Sequence, residues 1–240
     1  MYNILEYGAK GDGVTNDAKA IQSAVDACSQ AGGGVVLFPG GHVYNSGYVI
    51  LKSNVEVHLE MGAVWKASDH LEDYYPLRNN GHITAHESGL PSYLNSEYAG
   101  KPFHAFIYAY QEENICISGR GTIDANEKIF YGDDSGYHIE GSYYPRIPLM
   151  LLEAVNHLTI TGVKLINCAF WTVHLVGCQD VLIDGIRLIN NLKMANSDGI
   201  DPDHCRNVRI SNCHIECGDD AIVLKNSGDY KKYGLCENIV

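Results

Sequence analysis

Basic side chains are scarce in this sequence: 17 Lys and Arg stand against 29 Asp and Glu, a formal net charge of -12. A general nucleic-acid binder needs a basic footprint, so that partner class is excluded. An acidic substrate is not, because a local cationic cluster can override the global sign. No run of about 20 apolar residues occurs, so no membrane span or membrane partner is expected. The opening MYNILEYGAKGDG lacks a basic start followed by an apolar stretch. It therefore does not read as a secretory leader, and a cytoplasmic location is the corresponding expectation. No C-x-x-C pair exists among Cys28, Cys116, Cys168, Cys178, Cys205, Cys213, Cys217 and Cys236. A zinc site is not expected, and the thiols read mostly as reduced core residues. Helix signals are also nearly absent. What the chain does have is 45% hydrophobic residues, enough for a packed core.

Those residues repeat. NHLTITGVKLIN from Asn156, QDVLIDGIRLIN from Gln179 and RNVRISNCHIEC from Arg206 align at offsets of 23 and 27 residues. ENICISGRGTID from Glu113 is an earlier copy, SNVEVHLEMGAV from Ser53 a weaker one, and CENIV opens a last. Alternation with a period of two indicates strands with one buried face. Leu158/Ile160, Val181/Ile183 and Val208/Ile210 form matching inward columns. Short strands at such an offset predict an all-β fold, a right-handed parallel β-helix. A β-sandwich also uses short strands, but it does not need copies whose polar and apolar columns stay in step.

One segment reads as a helix. TNDAKAIQSAVDACSQAGGG offers Thr15, Asn16 and Asp17 as caps, then Ile21, Ala24, Val25 and Cys28 at helical spacing, then Gly32 to Gly34 as a stop. A solenoid must hide its open end, and this helix is placed to cap it. The expectation is a single β-helix domain over 1–240, with cap and first coil in 1–50 and regular coils in 113–240. Residues 69–103, rich in Tyr, His, Asn and Gly, read as a long excursion shaping a binding face. The chain ends within a coil, so it is expected to be the N-terminal part of a longer solenoid.

Acidic residues concentrate in NSDGIDPDHC (196–205) and CGDDAIVLKN (217–226). Extending the repeat register aligns Trp171, Thr172 and Val173 with Asp198, Gly199 and Ile200, and these with Asp220, Ala221 and Ile222. Asp198 and Asp220 are thus predicted to stack on successive coils, about 4.8 Å apart in the backbone, with Asp219 alongside. Like charges this close resist joint ionisation, which suits one protonated acid working with one base. Glycoside hydrolysis needs that division, and acid and base about 6.5–9.5 Å apart leave room for a water and invert the anomeric centre. By spacing alone a calcium site and ordinary turn chemistry remain open, and Asp201 and Asp203 could be turn residues only.

NSDGID followed one coil later by GDD resembles the family 28 glycoside hydrolases, polygalacturonases and their relatives, whose pattern is Asn-Thr-Asp-Gly and then Gly-Asp-Asp-Cys. Ser197 and Ala221 depart from it. FWTVHLVGCQDVLI, NSDGIDPDHCRNV and CGDDAIVLK resemble the bacterial and plant exo-acting branch. YGAKGDGVTND and GGGVVLFPGG are similar to the cap of the wider pectin-acting β-helix superfamily. The resemblance implies an inverting hydrolase of galacturonan or a related pectic oligosaccharide or polysaccharide, without cofactor or metal. It implies Asp219 as general acid, Asp198 and Asp220 as holders of the water, and Asn196 as a supporting hydrogen-bonding group. The family also carries a site histidine and an Arg-x-Lys segment that follow the last coil present here.

Three further residues are candidate substrate contacts. Arg146, in SYYPRIPLMLLE, matches a family Pro-Arg near the cleft and could pair with a galacturonate carboxylate. His174 aligns with Asp201 and could line a sugar subsite, and Lys225 could steer an anionic sugar. Their plainer readings are a surface arginine, a strand histidine and a solvated lysine. His70, Tyr74, Tyr75, His82, His86 and Tyr93 are aromatic candidates for a subsite wall. Two other functions stay open: a pectate-lyase-like β-eliminase, and a carbohydrate-binding β-helix without catalysis.

Overall fold

In the computed structural model, which describes residues 1–70, 73–74, 105–134, 136, 139–141 and 146–240, the chain winds as a right-handed parallel β-helix. Among the described residues each coil feeds three sheets of eight, seven and five strands. The register is the one the repeats predict. Asn156 faces Gln179, and Gln179 faces Arg206. Glu113 faces Asn156, the weak copy stays in step with Glu56 opposite Cys116, and Glu237 of the last copy faces Arg206. Within these three sheets every described neighbour is parallel and one coil away, which a sandwich does not provide.

The inward columns explain why the coils stack. Leu158, Ile160, Val181, Ile183 and Val208 are buried, with Ile210 partly buried against them. Burying each such side chain contributes about 1.5–3 kcal/mol. At the N-terminal end Trp65 is enclosed by Phe38 and Phe106, and its indole N–H donates to Ser46 Oγ at 2.7 Å.

Corners are set by residues with left-handed backbone. Asn54, Asn114, His157, Asp180, Asn207 and Asn238 have φ between 54° and 63° and recur once per coil just inside the strands of the eight-stranded sheet. Asn and Asp adopt this conformation at lower cost than other non-glycine residues. Their side chains also bond between coils: Asn207 Nδ2 donates to Asp180 Oδ1 at 2.8 Å, and Asn238 Nδ2 to Asn207 Oδ1 at 2.9 Å.

Helix α1 (Ala18–Gln30) buries Ile21, Ala24, Val25 and Cys28 against the first coils, as the spacing predicts. Its start differs in detail. Asp17 occupies the cap position, but its carboxylate accepts from the Lys10 and Gly11 N–H groups at 2.7 and 3.0 Å. Asn16 Oδ1 accepts the Ala18 N–H at 3.0 Å instead. All eight cysteines are free, and Cys28, Cys168, Cys178 and Cys205 are buried. Burial pushes the Cys168 thiol up to about 12. Among the described residues no helix is long and apolar enough to cross a membrane.

Of the 69–103 excursion only Asp69, His70, Asp73 and Tyr74 are described; Tyr75, His82, His86 and Tyr93 lie outside the described residues. A short antiparallel hairpin (Tyr131–Asp134 with Ile139–Gly141) leaves the coil before the candidate site. Ile139 N–H donates to Lys193 O at 2.7 Å, and Asn191 Nδ2 donates to Tyr131 Oη at 2.8 Å. The hairpin thus rests on the turn that leads into Asp198.

Candidate active site

The five-stranded sheet carries the acids. Its last three strands are Met150–Glu153, Val173–Val176 and Ile200–Asp203, in register with Leu151 opposite His174 and His174 opposite Asp201. Met150, Leu152, Val173, Leu175 and Ile200 point into the main core. Alternation therefore puts Leu151, Glu153, His174, Val176, Asp201 and Asp203 on the outer face. The next coil continues through bridges from Ile200 to Ile222 and from Asp203 to Lys225.

These bridges place Asp220 over Asp198, as the repeat register predicts. One oxygen each from Asp198, Asp219 and Asp220 lie within 4.8 Å of one another. Asp198 is buried, while Asp219 and Asp220 are exposed. The close stacking requires two glycines. A Cβ on Gly199 would meet Ala221 O at 2.4 Å, and one on Gly218 would meet Met194 O at 2.5 Å. Ser197 fixes the step between the coils: its Oγ accepts the Gly218 N–H at 2.9 Å and donates to Met194 O at 2.8 Å. The hydroxyl of Ser197 thereby places the Asp219 turn relative to Asp198.

Lys225 reaches into this group. Its Nζ donates to Asp198 Oδ2 at 3.1 Å and lies 3.1 Å from Asp201 Oδ1. The second contact is an ion pair without hydrogen-bond alignment, and both Asp201 oxygens lack a hydrogen-bond partner among the described residues. The ammonium also sits 4.0 Å from the Trp171 ring centroid. Burial pushes Asp198 above the ordinary carboxylate value, with Lys225 opposing and Asp219 adding to the rise. Burial and the neighbouring Asp198 hold Asp201 well above that value. Lys225 is raised: burial works against its charge, but Asp201 and Asp198 outweigh it.

The structure buries Arg146 and His174 and leaves Lys225 only partly exposed. Arg146 is 2% exposed rather than open to a sugar. Its guanidinium donates to Ala169 O at 3.0 Å, to Ala195 O, and to Asn196 Oδ1 at 2.8 Å. Committed in this way, it braces the turn in which Asn196 takes a left-handed φ of 54° just ahead of Asp198. Asn196 is thus tied to the site through Arg146. His174 is fully buried, edge-on to Trp171, with Nε2 3.3 Å from Asp203 Oδ2. It stands on the outer face of the sheet but is covered there, so it is closed to a sugar. Lys225 is mostly buried and turned toward carboxylates rather than solvent.

Asp201 and Asp203 are corrected outright: they are fully buried residues of a strand, not turn residues. Burial pushes Asp203 up, but hydrogen bonds from His174 and Ser227 outweigh it and leave it below the ordinary value. Burial keeps His174 below the usual imidazole range despite Asp203. A neutral ring still donates one N–H, so the two directions are compatible.

Sequence reasoning also missed the segment after Lys225. A 3-10 turn (Gly228–Tyr233) folds over the outer face of the five-stranded sheet. Ser227 Oγ donates to Asp203 Oδ2 at 2.5 Å, and Tyr233 Oη to Glu153 Oε1 at 2.5 Å. The Tyr233 ring covers Gly177, where a Cβ would come within 2.4 Å of it. Glycine at 177 and the buried Glu153 were the available signals, but neither lies near the acids in sequence.

Chemically, a 4.8 Å span between carboxylate oxygens is shorter than the acid–base separation of about 6.5–9.5 Å expected above. It still admits one water bridging two oxygens at ordinary hydrogen-bond lengths. The same span suits a hard cation, which takes about six to eight oxygens. Three carboxylates converge here among the described residues, and Lys225 already supplies a positive charge to Asp198.

Fold and site define a parallel β-helix protein with an acid–base cluster on one outer sheet. The chain belongs to the glycosyl hydrolases family 28, whose sequence profile matches residues 53–232. Residues 1–62 match a second profile, rhamnogalacturonase A/epimerase, pectate lyase-like. A probable polygalacturonase from Vitis vinifera is 30% identical over 97% of this chain and 45% of its own length. An exo-poly-alpha-D-galacturonosidase from Dickeya chrysanthemi is 25% identical over 92% of this chain and 41% of its own. The solved exopolygalacturonase of Thermotoga maritima superposes with a TM-score of 0.77 at 26% identity, covering 99% of this chain and 57% of that one. The chain thus spans less than half the length of the two curated relatives named.

Proposed function

We propose that this chain carries the catalytic carboxylates of an exo-acting hydrolase of galacturonan or a related pectic saccharide. The observation that carries the proposal is the convergence of Asp198, Asp219 and Asp220 within 4.8 Å on successive coils. Membership of the family and the similarity to a probable polygalacturonase support the substrate class, and the similarity to an exo-poly-alpha-D-galacturonosidase supports the exo mode.

Asp219 gives its proton to the glycosidic oxygen as the bond from that oxygen to the anomeric carbon breaks. A water held by Asp198 and Asp220 attacks the same carbon from the opposite face and loses a proton to them. One bond forms, one breaks, and a single proton moves at each end. Burial favours the neutral form of Asp198, so Lys225 at 3.1 Å is what keeps it available as a base. The test is Asp219→Asn in the protein as its source makes it: hydrolysis is lost while sugar binding is kept. A product with an unsaturated ring that disappears on chelation would instead indicate β-elimination.

A further inference from the structure

Asp201 has no part in the scheme above, yet it is the most enclosed acid beside it. It is fully buried, both its oxygens lack a hydrogen-bond partner among the described residues, and it stands three residues beyond Asp198 on the strand that pairs with Val173–Val176. Two carboxylates alone cannot satisfy each other, since both only accept. A buried acceptor left unmatched forfeits its solvation without recompense, so a donor must serve this pair. One amino group touches both: Lys225 Nζ, at 3.1 Å from Asp198 and 3.1 Å from Asp201, with its far side closed by the Trp171 ring.

We propose that Asp201 and Lys225 form a positioning pair for Asp198, gripping its carboxylate from within the coil stack so that it stays ionised and aimed at the reacting water. The proposal rests on the hydrolase reading for the role of that water, but not for the contacts themselves. Asp201 works as a neutral acid. Its protonated oxygen donates to Asp198, and Lys225 donates to the same carboxylate, giving it two donors and one net positive neighbour. The raised position of Asp201, to which the neighbouring Asp198 charge contributes after burial, agrees with this division. Other groups bear on the pair. Asp219 faces Asp198 from the next coil, Cys217 lies near all three acids, and His174 sits on the adjacent strand within the influence of Lys225. Lys225 is the cation that opposes the rise of Asp198.

The experiment combines a titration with a rate. The γ-carbon resonances of Asp198 and Asp201 are followed by NMR against pH in the wild type, Lys225→Met and Lys225→Arg. The pH profile of kcat/KM on oligogalacturonide is measured for the same proteins and for Asp201→Asn and Asp201→Leu. Lys225→Met is expected to move the Asp198 titration and the acid limb of the profile to higher pH. Its kcat/KM at about pH 5 should fall about tenfold, with Lys225→Arg restoring most of the loss. Asp201→Asn keeps a neutral donor and should retain activity within about threefold, whereas Asp201→Leu should lose at least about tenfold more. A merely structural role would lower activity without moving the acid limb and would treat Asn and Leu alike.

An Asp198 titration unchanged in folded Lys225→Met overturns the pair, even if galacturonan is hydrolysed normally. A shifted titration in a protein that hydrolyses nothing upholds the pair and removes the hydrolase reading. If Lys225→Met fails to fold, the wild-type titration decides. Asp201 still protonated at about pH 6 supports the pair, and Asp201 titrating like an exposed carboxylate overturns it.

Discussion

Asp220 lies directly over Asp198, one coil along the solenoid: the Gly199 N–H beside Asp198 donates to the Asp220 carbonyl at 2.9 Å. Backbone pairing therefore fixes the distance between two carboxylates of the candidate site. Neither side chain chooses its neighbour; the coil length does. This makes the cluster rigid, and a rigid cluster can hold a water without reorganising.

The first consequence concerns stereochemistry. In the proposed scheme Asp198 and Asp220 hold the attacking water and Asp219 serves the leaving group, so no carboxylate is assigned as a covalent nucleophile. Hydrolysis of an α-linked galacturonan should release the β-anomer first, followed by mutarotation. Proton NMR during the first minutes of reaction checks this, and initial release of the α-anomer would require a covalent intermediate.

Removal of metals should leave the rate unchanged. Lys225 provides the positive charge beside Asp198, so EDTA followed by desalting is expected to alter kcat/KM by less than about twofold. A loss restored by added calcium would turn the three carboxylates into a cation site and favour elimination chemistry.

Asp201 should cost stability at neutral pH. Its folded-state pKa is held well above the ordinary 3.8, first by burial and then by Asp198. Below that ordinary value both folded and unfolded chains carry the proton, and nothing is lost. As pH rises, the unfolded chain releases its proton first, so stability falls until the folded-state pKa is passed. Asp201→Asn removes the effect. Its Tm should exceed the wild-type Tm at pH 7 by on the order of 4 °C, with the difference shrinking toward about pH 3. A lower Tm at pH 7 would contradict the assignment of Asp201 as a neutral acid.

The corner ladder predicts a second stability effect far from the site. Asn207 has a φ of 54° and bonds to Asp180 below and Asn238 above. Asn207→Val should destabilise by about 2–3 kcal/mol, because a β-branched residue resists this backbone and both bonds are lost. Asn207→Gly should lose less, since only the bonds go. Urea denaturation of the two variants separates backbone strain from hydrogen bonding, and equal losses would contradict the strain component.

How much of this was legible beforehand follows from distance along the chain. The period-two columns, offsets of 23 and 27 residues, and the alignment of Trp171 with Asp198 with Asp220 could all be read directly. In a solenoid, coil length converts sequence offset into spatial neighbour, so a repeat register is already a contact map. What could not be read depends on side-chain direction and on what covers the outer face. Arg146 looked like a hand for substrate because it is charged and follows Pro145, yet its guanidinium turns inward to Ala169, Ala195 and Asn196. Asp201 and Asp203 could have been turn residues because Asp is common in turns, but the parallel partner strand Val173–Val176 draws them into the sheet. The Gly228–Tyr233 cover carries no repeat signal, and only its contacts with Asp203 and Glu153 reveal it.

The most direct test of the central claim is kcat and saccharide affinity for Asp219→Asn beside the wild type, in the protein as its source makes it. An amide cannot supply the acid proton, so kcat should fall by roughly a hundred- to ten-thousand-fold while affinity for oligogalacturonide stays within about threefold. Hydrolysis persisting within about tenfold of wild type would show that the carboxylates stacked on these coils are not the machinery of the reaction.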